Sequence, residues 1–373
     1  MRFISGGIDL PDELLNARDA GELLLFCGAG ISQAKAWLPN FPVLARTVLQ
    51  SLGSALDSPA RRLFEASEKL EEVSGLTGLI ATDRIFGMLE QEFHPSEVRE
   101  AMAVALRPPV GYGLGAHRTI LDLARTREGV TRLVTTNFDR LFEECDGSLA
   151  SHFPPRLPDP RRDKDFRGVV HIHGMVDQAY SRTCDDEIVL SSADFGRAYL
   201  ADGWATRYIQ LLLERHKILF IGYSADDPPV QYLLEALNQS GTHTGRIFAF
   251  QAGDSAQAVA QWAHKGVLPI AYSPENGHRE LWETLDAWAE RSRDVDAWYE
   301  RLLVGAGRGP EVLDPAERGR VANLAATHEG ARRLALSAGS LPATWLNVLD
   351  PAMSNGVQKG PPIGVEEGPP FRI

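Results

Sequence analysis

Short runs of apolar residues alternate along the chain with longer stretches in which apolar residues recur every three or four positions. The short runs predict seven β-strands, at residues 23–27, 131–136, 168–173, 187–191, 217–222, 246–250 and 267–272. The longer stretches predict helices. Strands that alternate with helices are typical of a parallel sheet covered on both faces. The pattern therefore predicts an α/β fold with a Rossmann-like, doubly wound parallel sheet.

The interval between the first two predicted strands is unusually long. It holds about a hundred residues, too many for a simple crossover, and four helical patterns, at 42–52, 60–73, 83–93 and 96–107. We therefore predict a helical insertion over about 42–128 that covers the end of the sheet. Helical periodicity returns after Tyr272. The predicted division is a main domain over 1–275, a C-terminal helical region over 276–350 and a Pro/Gly-rich tail or linker over 351–373.

Four of the predicted strands end in clusters of polar residues and glycine. The clusters read CGAGIS from Cys27, TTNFD from Thr135, HIHG from His171 and GYSADD from Gly222. In a doubly wound sheet, ligands bind in the crevice outside the carboxyl ends of the strands. Four clusters at these ends therefore predict one composite site.

The first cluster is typical of a phosphate-binding turn. Gly28, Ala29 and Gly30 follow a strand directly, so the backbone can turn tightly and a helix N-terminus can face an anion. The third glycine of the full dinucleotide fingerprint is replaced by Gln33. A tight turn without a ligand therefore remains an alternative for this cluster taken alone.

The second and third clusters supply candidate catalytic side chains. One of Asn137 and Asp139 can cap the helix that follows, but two polar residues are more than a cap requires. His171 and His173 lie on one face of a predicted strand, which also allows a metal site. No third ligand stands nearby, so we predict that His173 faces the crevice and that His171 is a core histidine.

The fourth cluster ends a strongly apolar strand. Gly222 and Ser224 are placed to meet a ribose or a phosphate. Asp227 precedes Pro228, the usual arrangement at a helix start, so we predict that Asp227 is a cap.

Charge and cysteine content exclude several other classes of protein. The formal net charge is −12 and the pI is about 5.4, which disfavours direct binding to nucleic acid. The three cysteines are far apart and form no C-x-x-C pair, so they build neither a disulfide framework nor a zinc ribbon. No apolar run is long enough to span a membrane and the N-terminus lacks the pattern of a signal peptide, so we expect a cytoplasmic protein.

Taken together, the clusters resemble the motifs of the Sir2 family, which consumes NAD. GAGIS at 28–32 matches as it stands, TTNFD at 135–139 is similar to the TQN-type motif, HIHG at 171–174 to the xLHG motif and GYS at 222–224 to the GTS motif. GAHRTILDL at 115–123 also resembles the helix that precedes the TQN strand in that family. The resemblance extends from Leu23 to about Phe250.

Two departures separate the chain from the sirtuin deacylases. Those enzymes carry a zinc ribbon of two cysteine pairs, which this chain lacks. Their SGIPDFR-like run corresponds here to AKAWLPNFPVL, which keeps Pro39 and Phe41 but has lost the arginine. The chain therefore looks more like the bacterial Sir2-like proteins of anti-phage systems, which hydrolyse NAD to nicotinamide and ADP-ribose.

The resemblance implies an NAD glycohydrolase that depletes NAD during phage infection, with NAD as substrate and no zinc. It implies that Asn137 orients the ribose and the attacking water, that Asp139 holds the nicotinamide amide, and that His173 binds a ribose hydroxyl and acts as general base. It also implies a set of residues that bind the cofactor: Gly28, Ala29, Gly30, Ser32, Phe41, Thr136, Gly222 and Ser224.

Two alternatives remain open. The chain could sense NAD or ADP-ribose without turnover, or it could be an NAD-dependent protein deacylase. Because an unregulated NAD hydrolase would kill its host, a resting state is expected. The resemblance implies a homo-oligomer, in some cases with an ATPase, an Argonaute-like protein or a sensor domain as partner.

Overall fold

The computed structural model describes residues 1–75, 78–185, 187–224, 234, 245–337 and 341–349. Within these residues, seven strands form one sheet in which every neighbouring pair runs parallel. The strands are β1 Leu23–Cys27, β2 Arg132–Thr135, β3 Ser151–His152, β4 Gly168–His171, β5 Lys217–Ile221, β6 Ile247–Ala252 and β7 Leu268–Tyr272. Their order across the sheet is β3-β4-β2-β1-β5-β6-β7, which confirms the predicted doubly wound parallel sheet.

Helices lie before, between and after the strands. Those before β5 are α1 Asp12–Asp19, α2 Ala29–Ala36, α3 Phe41–Ser51, α4 Pro59–Ser74, α5 Thr82–Glu92, α6 Pro95–Ala105, α7 Gly115–Ala124, α8 Leu141–Cys145, α9 Ser192–Phe195 and α10 Trp204–Arg215. A π-helical turn at Gly196–Ala201 joins α9 to α10. Those after β5 are α11 Ser255–Trp262, α12 Glu275–Arg293, α13 Val295–Ala306, α14 Pro315–Ala326, α15 His328–Leu336 and α16 Leu346–Leu349.

One predicted strand is wrong. In the segment 187–191, Ile188, Val189 and Leu190 are buried, as the apolar run implied, but they form no strand. The Val189 N–H donates to the carbonyl of His173, whereas the N–H groups of Leu190 and Ser191 donate to the Asp194 carboxylate. A side chain that takes these amides prevents them from joining a sheet ladder.

Two strand boundaries also differ from the pattern. Strand β3 is too short to leave an apolar run, and the sequence did not predict it. Strand β4 ends at His171, so His173 lies in the loop beyond the strand and not on it. The Gly174 N–H closes this loop by donating to the carbonyl of His171.

The core on one face of the sheet joins strand residues to the helices that follow them. Phe26 of β1 contacts Phe220 of β5, with ring centroids 5.2 Å apart, and Phe220 stacks on Trp262 of α11. All three side chains are buried. A fully buried aromatic side chain contributes roughly 1.5–3 kcal/mol relative to an exposed one, so this cluster holds the centre of the sheet to its helices.

The helices α3 to α6 have a core of their own. Leu44, Phe86, Leu89 and Met102 are buried there with residues of the segment 176–190. Phe41 packs against this core and against the core of the sheet, and its ring stacks on Phe86 at 5.2 Å. The first part of the predicted insertion is thus a helical subdomain. Helix α7, in its second part, packs on strands β1 and β2 instead.

The chain divides into two compact units, and the second begins at Asp296. The first unit includes α12, which packs on α7 and is tied to α1 by two hydrogen bonds from the Arg291 guanidinium to the Asp19 carboxylate. In the second unit, Ala306, Val321 and Trp345 form a small core. The predicted tail at 351–373 and Asp227 lie outside the described residues, and the predicted domain boundaries stay a prediction.

The turns after β1 and β5 touch backbone to backbone. The Gly28 N–H donates to the carbonyl of Ile221 (2.9 Å), and the Gly30 N–H donates to that of Gly222 (3.0 Å). Gly222 has a φ of +77°, and a Cβ added there would lie 2.9 Å from the nitrogen of Ile31. Glycine at 222 is therefore required by the packing of the two turns, whatever ligand they bind.

Gly222→Ala is expected to lower the free energy of unfolding by about 3 kcal/mol, because the left-handed conformation and the close contact both penalise a side chain. Gly129→Ala is the matched control: Gly129 has a φ of +80°, but a Cβ there meets nothing within 4 Å. Gly129→Ala should lower the free energy of unfolding by about 1 kcal/mol. Urea unfolding measures both free energies. An equal decrease in the two variants would show that the contact between the turns is not tight.

Candidate active site

The polar residues after β1, β2 and β5 form one hydrogen-bonded group at the carboxyl edge of the sheet. Asn137 bonds across to Gly28 and Ser32, and Thr136 bonds to Tyr223. The loop after β4 lies beside them, because the Ile172 N–H donates to the carbonyl of Thr135. The four predicted clusters are therefore brought to one edge.

Ser32 is the centre of this group. Its hydroxyl donates to the Asp139 carboxylate (2.8 Å), and its oxygen lies 3.1 Å from the Asn137 side-chain nitrogen and 3.2 Å from Nε2 of His117. A serine hydroxyl has one proton and two acceptor lone pairs. Since the proton goes to the carboxylate, the oxygen accepts from both nitrogens.

This arrangement fixes the orientation of the Asn137 amide. Its side-chain nitrogen lies 3.2 Å from the carbonyl of Gly28 and 3.1 Å from the oxygen of Ser32. Gly28 offers only an acceptor here and the Ser32 proton is already used, so the amide nitrogen must face both. The Oδ1 of Asn137 is thereby turned away from these two neighbours.

His117 is a site residue that the sequence analysis did not single out. The Ser32 contact requires a proton on Nε2, and Nδ1 is buried with no hydrogen-bond partner among the described residues. Burial lowers the pKa of His117 to about 4, so the ring is neutral at pH 7. The similarity of GAHRTILDL to the helix before the TQN strand was the only signal in the sequence that pointed to it.

Asp139 has a structural partner for each carboxylate oxygen. Oδ1 accepts from the N–H of Leu141, the first residue of α8, and Oδ2 accepts from Ser32. Burial raises the pKa of Asp139, and these two hydrogen bonds oppose the rise. Asp139 therefore binds the first amide of α8 and also contacts the site. Between it and Asn137, Phe138 is buried in the helical subdomain.

Tyr223 is the second site residue that the sequence analysis missed. Its hydroxyl donates to the carbonyl of Cys27 (2.8 Å), and the Thr136 hydroxyl lies 2.8 Å from the same phenol oxygen. The phenol has a single proton, so Thr136 is the donor to it. A Cβ on Gly28 would lie 2.8 Å from the Tyr223 ring, so the ring packs directly on the glycine turn.

The glycine turn itself has few amides left for a ligand. Helix α2 begins at Ala29, with Gly28 as its N-cap. The amides of Gly28, Gly30 and Ile31 donate to the carbonyls of Ile221, Gly222 and Gly28, respectively. Ala29 and Gly30 are only partly exposed. The positive end of the α2 dipole thus faces the crevice at Ala29.

Phe41 and Ser224 are the two remaining residues of the predicted set. Phe41 lies at the start of α3, between the core of the sheet and that of the helical subdomain. Ser224 is exposed, and the residues that follow it, 225–233, lie outside the described part of the chain.

His171 and His173 have different partners. His171 is fully buried, with Nδ1 2.9 Å from the carbonyl of Asn137 and Nε2 2.9 Å from the Glu143 carboxylate. The charge of Glu143 and this hydrogen bond outweigh burial and raise the pKa of His171, and the pKa of Glu143 falls to about 2. His173 instead places Nε2 2.7 Å from the hydroxyl of Tyr199.

The described residues contain no group of three or more His, Cys, Asp or Glu side chains that could hold a metal ion. No described helix is both long and apolar enough to cross a membrane.

Part of the chain matches a known protein family. Residues 131–270 match the family model described as SIR2-like domain, so the chain contains a SIR2-like domain. The matched part includes the TTNFD, HIHG and GYS clusters and excludes GAGIS.

A curated relative and a solved structure are also similar. The relative is an uncharacterised protein, y4cA, of Sinorhizobium fredii, which is 31% identical over 327 residues. The match covers 83% of this chain but 26% of y4cA, so the chain spans about a quarter of that protein's length. The structure is a crystal structure of a Sir2 homolog–NAD complex, at 15% identity and a TM-score of 0.37, and the match covers 78% of this chain and 96% of that chain.

Glu143→Gln is expected to lower the free energy of unfolding by about 3 kcal/mol near pH 5.5, because it removes the partner of a buried, charged histidine. The pKa of His171 is raised in the folded protein, so the ion pair contributes fully below the ordinary histidine pKa and is lost as the pH rises through the raised value. The difference from wild type should therefore shrink towards alkaline pH.

Urea unfolding at a series of pH values measures this difference. Glu100→Gln, which removes an exposed carboxylate from helix α6, is the control for the change in net charge. A difference that stayed constant or grew as the pH rose would show that His171 is not charged in the folded protein.

Proposed function

We propose that this protein is an NAD glycohydrolase. The reaction breaks the bond between the nicotinamide nitrogen and the ribose, the bonding electron pair leaves with nicotinamide, and water adds to the ribose carbon to give ADP-ribose and a proton. The observation that carries the proposal is the fixed Asn137 amide, held by Gly28 and Ser32 beside the loop of His173. The SIR2-like domain supports the same class of substrate.

Hydrolysis of NAD requires a site that orients the reacting groups. It does not require a strong nucleophile from the protein. Nicotinamide is already a good leaving group because its ring nitrogen is positively charged in NAD. The site must hold the ribose and water in line and stabilise the positive charge that develops on the ribose. Asn137 would accept a hydrogen bond from a ribose hydroxyl or from the water through Oδ1. Each oxygen of Asp139 keeps a second lone pair, and one would accept from the nicotinamide amide.

The remaining predicted residues would hold the rest of the dinucleotide. The pyrophosphate would lie at the N-terminus of α2, where Ala29 begins the helix and the dipole favours an anion. Gly222 and Ser224 would meet the adenosine side. Thr136, directly after strand β2, and Phe41, at the start of helix α3, would line the walls of the crevice. The other cofactor-binding residues, Gly28, Gly30 and Ser32, would act chiefly by shaping the turn.

His173 would contact the ribose. The resemblance to the Sir2 family assigns it two tasks, a hydrogen bond to a ribose hydroxyl and general-base catalysis. The first task needs either a donor or an acceptor on the ring, whereas the second needs a nitrogen whose lone pair is free.

We propose that in the cell this protein acts as an effector of anti-phage defence, which depletes NAD in the cytoplasm of an infected bacterium. The support for this step is the resemblance to bacterial Sir2-like NAD hydrolases. A homo-oligomer, and an ATPase, Argonaute-like or sensor partner, would hold the enzyme in a resting state. A zinc-free site is part of the same proposal.

The test is NAD consumption and nicotinamide release, followed by chromatography at dilute and at concentrated protein. Asn137→Ala is expected to reduce kcat at least about 100-fold, as the loss of a key polar group in an active site does. His173→Ala is expected to be similarly impaired. His152→Ala, in the edge strand β3, should retain full activity.

Three other outcomes would contradict the proposal. Binding of NAD without turnover at either concentration would support an NAD or ADP-ribose sensor. Deacylation of an acyl-lysine peptide, with nicotinamide release only in the presence of that peptide, would support a deacylase. Activity that survives both Asn137→Ala and His173→Ala would place the reaction elsewhere in the molecule.

A further inference from the structure

Tyr199 and His173 form a hydrogen-bonded pair in the loop and the π-helical turn that follow strand β4. The phenol oxygen lies 2.7 Å from Nε2 of His173, and the two residues are 3% and 2% exposed, respectively. Resting on the function proposed above, we infer that Tyr199 is a positioning residue that holds His173 in the Nδ1–H tautomer. In that form His173 serves the reaction as a hydrogen-bond donor to the ribose and not as a general base.

The direction of this hydrogen bond follows from the chemistry of the two groups, and its length is compatible with it. Bonds donated by a hydroxyl cluster near 2.7–2.8 Å, whereas those donated by a nitrogen cluster near 2.9–3.0 Å. The separation of 2.7 Å fits a phenol that donates to an imidazole nitrogen. A phenol oxygen is a poor acceptor and a neutral imidazole nitrogen is a good one. Tyr199 therefore occupies the lone pair of Nε2, and the ring proton sits on Nδ1.

The surroundings of the pair are aromatic. Phe195 meets the His173 ring edge-on at 5.2 Å and stacks on Tyr199 at 5.9 Å, so it fixes both rings. The π-helical turn at 196–201 carries Tyr199 and joins it to α9. A π-helical turn inserts one extra residue per turn, which is a recurrent way to aim a side chain at a functional site.

No charged group acts on His173 in the described structure. Burial alone accounts for the lowering of its pKa, to about 3, so the ring is neutral over the physiological range. The carboxylates of Glu143 and Asp139 act instead on His171, two residues earlier. The groups that face His173 from α9 and from the π-helical turn are the apolar ring of Phe195 and the neutral phenol of Tyr199. A neutral partner keeps the histidine neutral.

This arrangement changes the role of His173 in the proposed reaction. With Nε2 taken by Tyr199, the ring has no free lone pair with which to accept a proton from water. The Nδ1–H can donate to a ribose hydroxyl and thereby hold the sugar in place. When water adds to the ribose carbon, its surplus proton is released to solvent. A strongly electrophilic ribose cation needs little help from a base, so the balance of the reaction is preserved.

The first test reads the tautomer directly and needs no substrate. Protein labelled with ¹⁵N-histidine is examined by two-bond ¹H–¹⁵N correlation spectra, with the His173 signals assigned by their absence in His173→Asn. The wild-type ring is expected in the Nδ1–H form. Tyr199→Phe, which removes only the hydroxyl, should shift the ring towards the Nε2–H form.

The matched control is Tyr208→Phe. Tyr208 lies in α10 and belongs to the same buried cluster, but its hydroxyl has no hydrogen-bond partner among the described residues. Tyr208→Phe makes the same change of side chain in a similar environment, and it should alter neither the tautomer of His173 nor the activity. A loss of activity in Tyr199→Phe but not in Tyr208→Phe is therefore assigned to the hydrogen bond between Tyr199 and His173.

The second test separates a donor from a base by substitution at 173. An asparagine side chain places an N–H near the position of Nδ1 but cannot take up a proton. His173→Asn is thus expected to retain at least about tenfold more activity than His173→Ala or His173→Gln. Tyr199→Phe is expected to lower kcat at least about tenfold while KM changes less than about twofold, because a free ring samples the wrong tautomer.

The outcomes distinguish this inference from the proposed function. If wild type releases nicotinamide, but His173→Asn is as inactive as His173→Ala and Tyr199→Phe is unimpaired, the inference is overturned and the glycohydrolase stands. If wild type has no activity, the proposed function fails, and the ¹⁵N spectra still decide the tautomer. An Nε2–H ring in wild type would overturn the inference whatever the activity.

Discussion

The direct contact between the turns after β1 and β5 is the constraint on which the candidate site depends. Gly30 and Gly222 meet through their backbones, and no side chain fits between them. This contact starts helix α2 immediately at the end of β1, so that Ser32 lies in its first turn. There the serine faces the residues that follow β2. The glycines thus determine which polar groups can meet, before any ligand is considered.

From that position Ser32 orients its neighbours, because its hydroxyl has only one proton to donate. Its single proton goes to Asp139, so Asn137 and His117 must both donate to its oxygen. One consequence is a fixed asparagine amide, and another is a neutral histidine of defined tautomer. Because these groups are almost completely buried, water cannot substitute for any of them. Orientation in this site is a property of the protein alone.

The two histidines of the HIHG cluster show how partners separate identical side chains. His171 faces the Glu143 carboxylate and takes a charge in the core, where it ties α8 to the sheet. His173 faces a phenol in an aromatic environment and remains neutral. Both are buried, so burial does not distinguish them. The difference comes from the electrostatic character of the neighbour, which is what suits one residue to structure and the other to the site.

The sequence by itself determined six of the seven strands, the parallel sheet and the four clusters at its edge, because a run such as Leu23–Cys27 and the glycines after it act locally. It also predicted His171 as a core residue, which the structure confirms. It failed at residues 187–191, where the apolar pattern is that of a strand but Asp194 takes the amides. Only the tertiary structure decided the partners of the site: His117, Tyr199 and Tyr223 reach it from distant helices and loops. Periodicity records which face of an element is buried, but it carries no information about which distant side chain will meet that face.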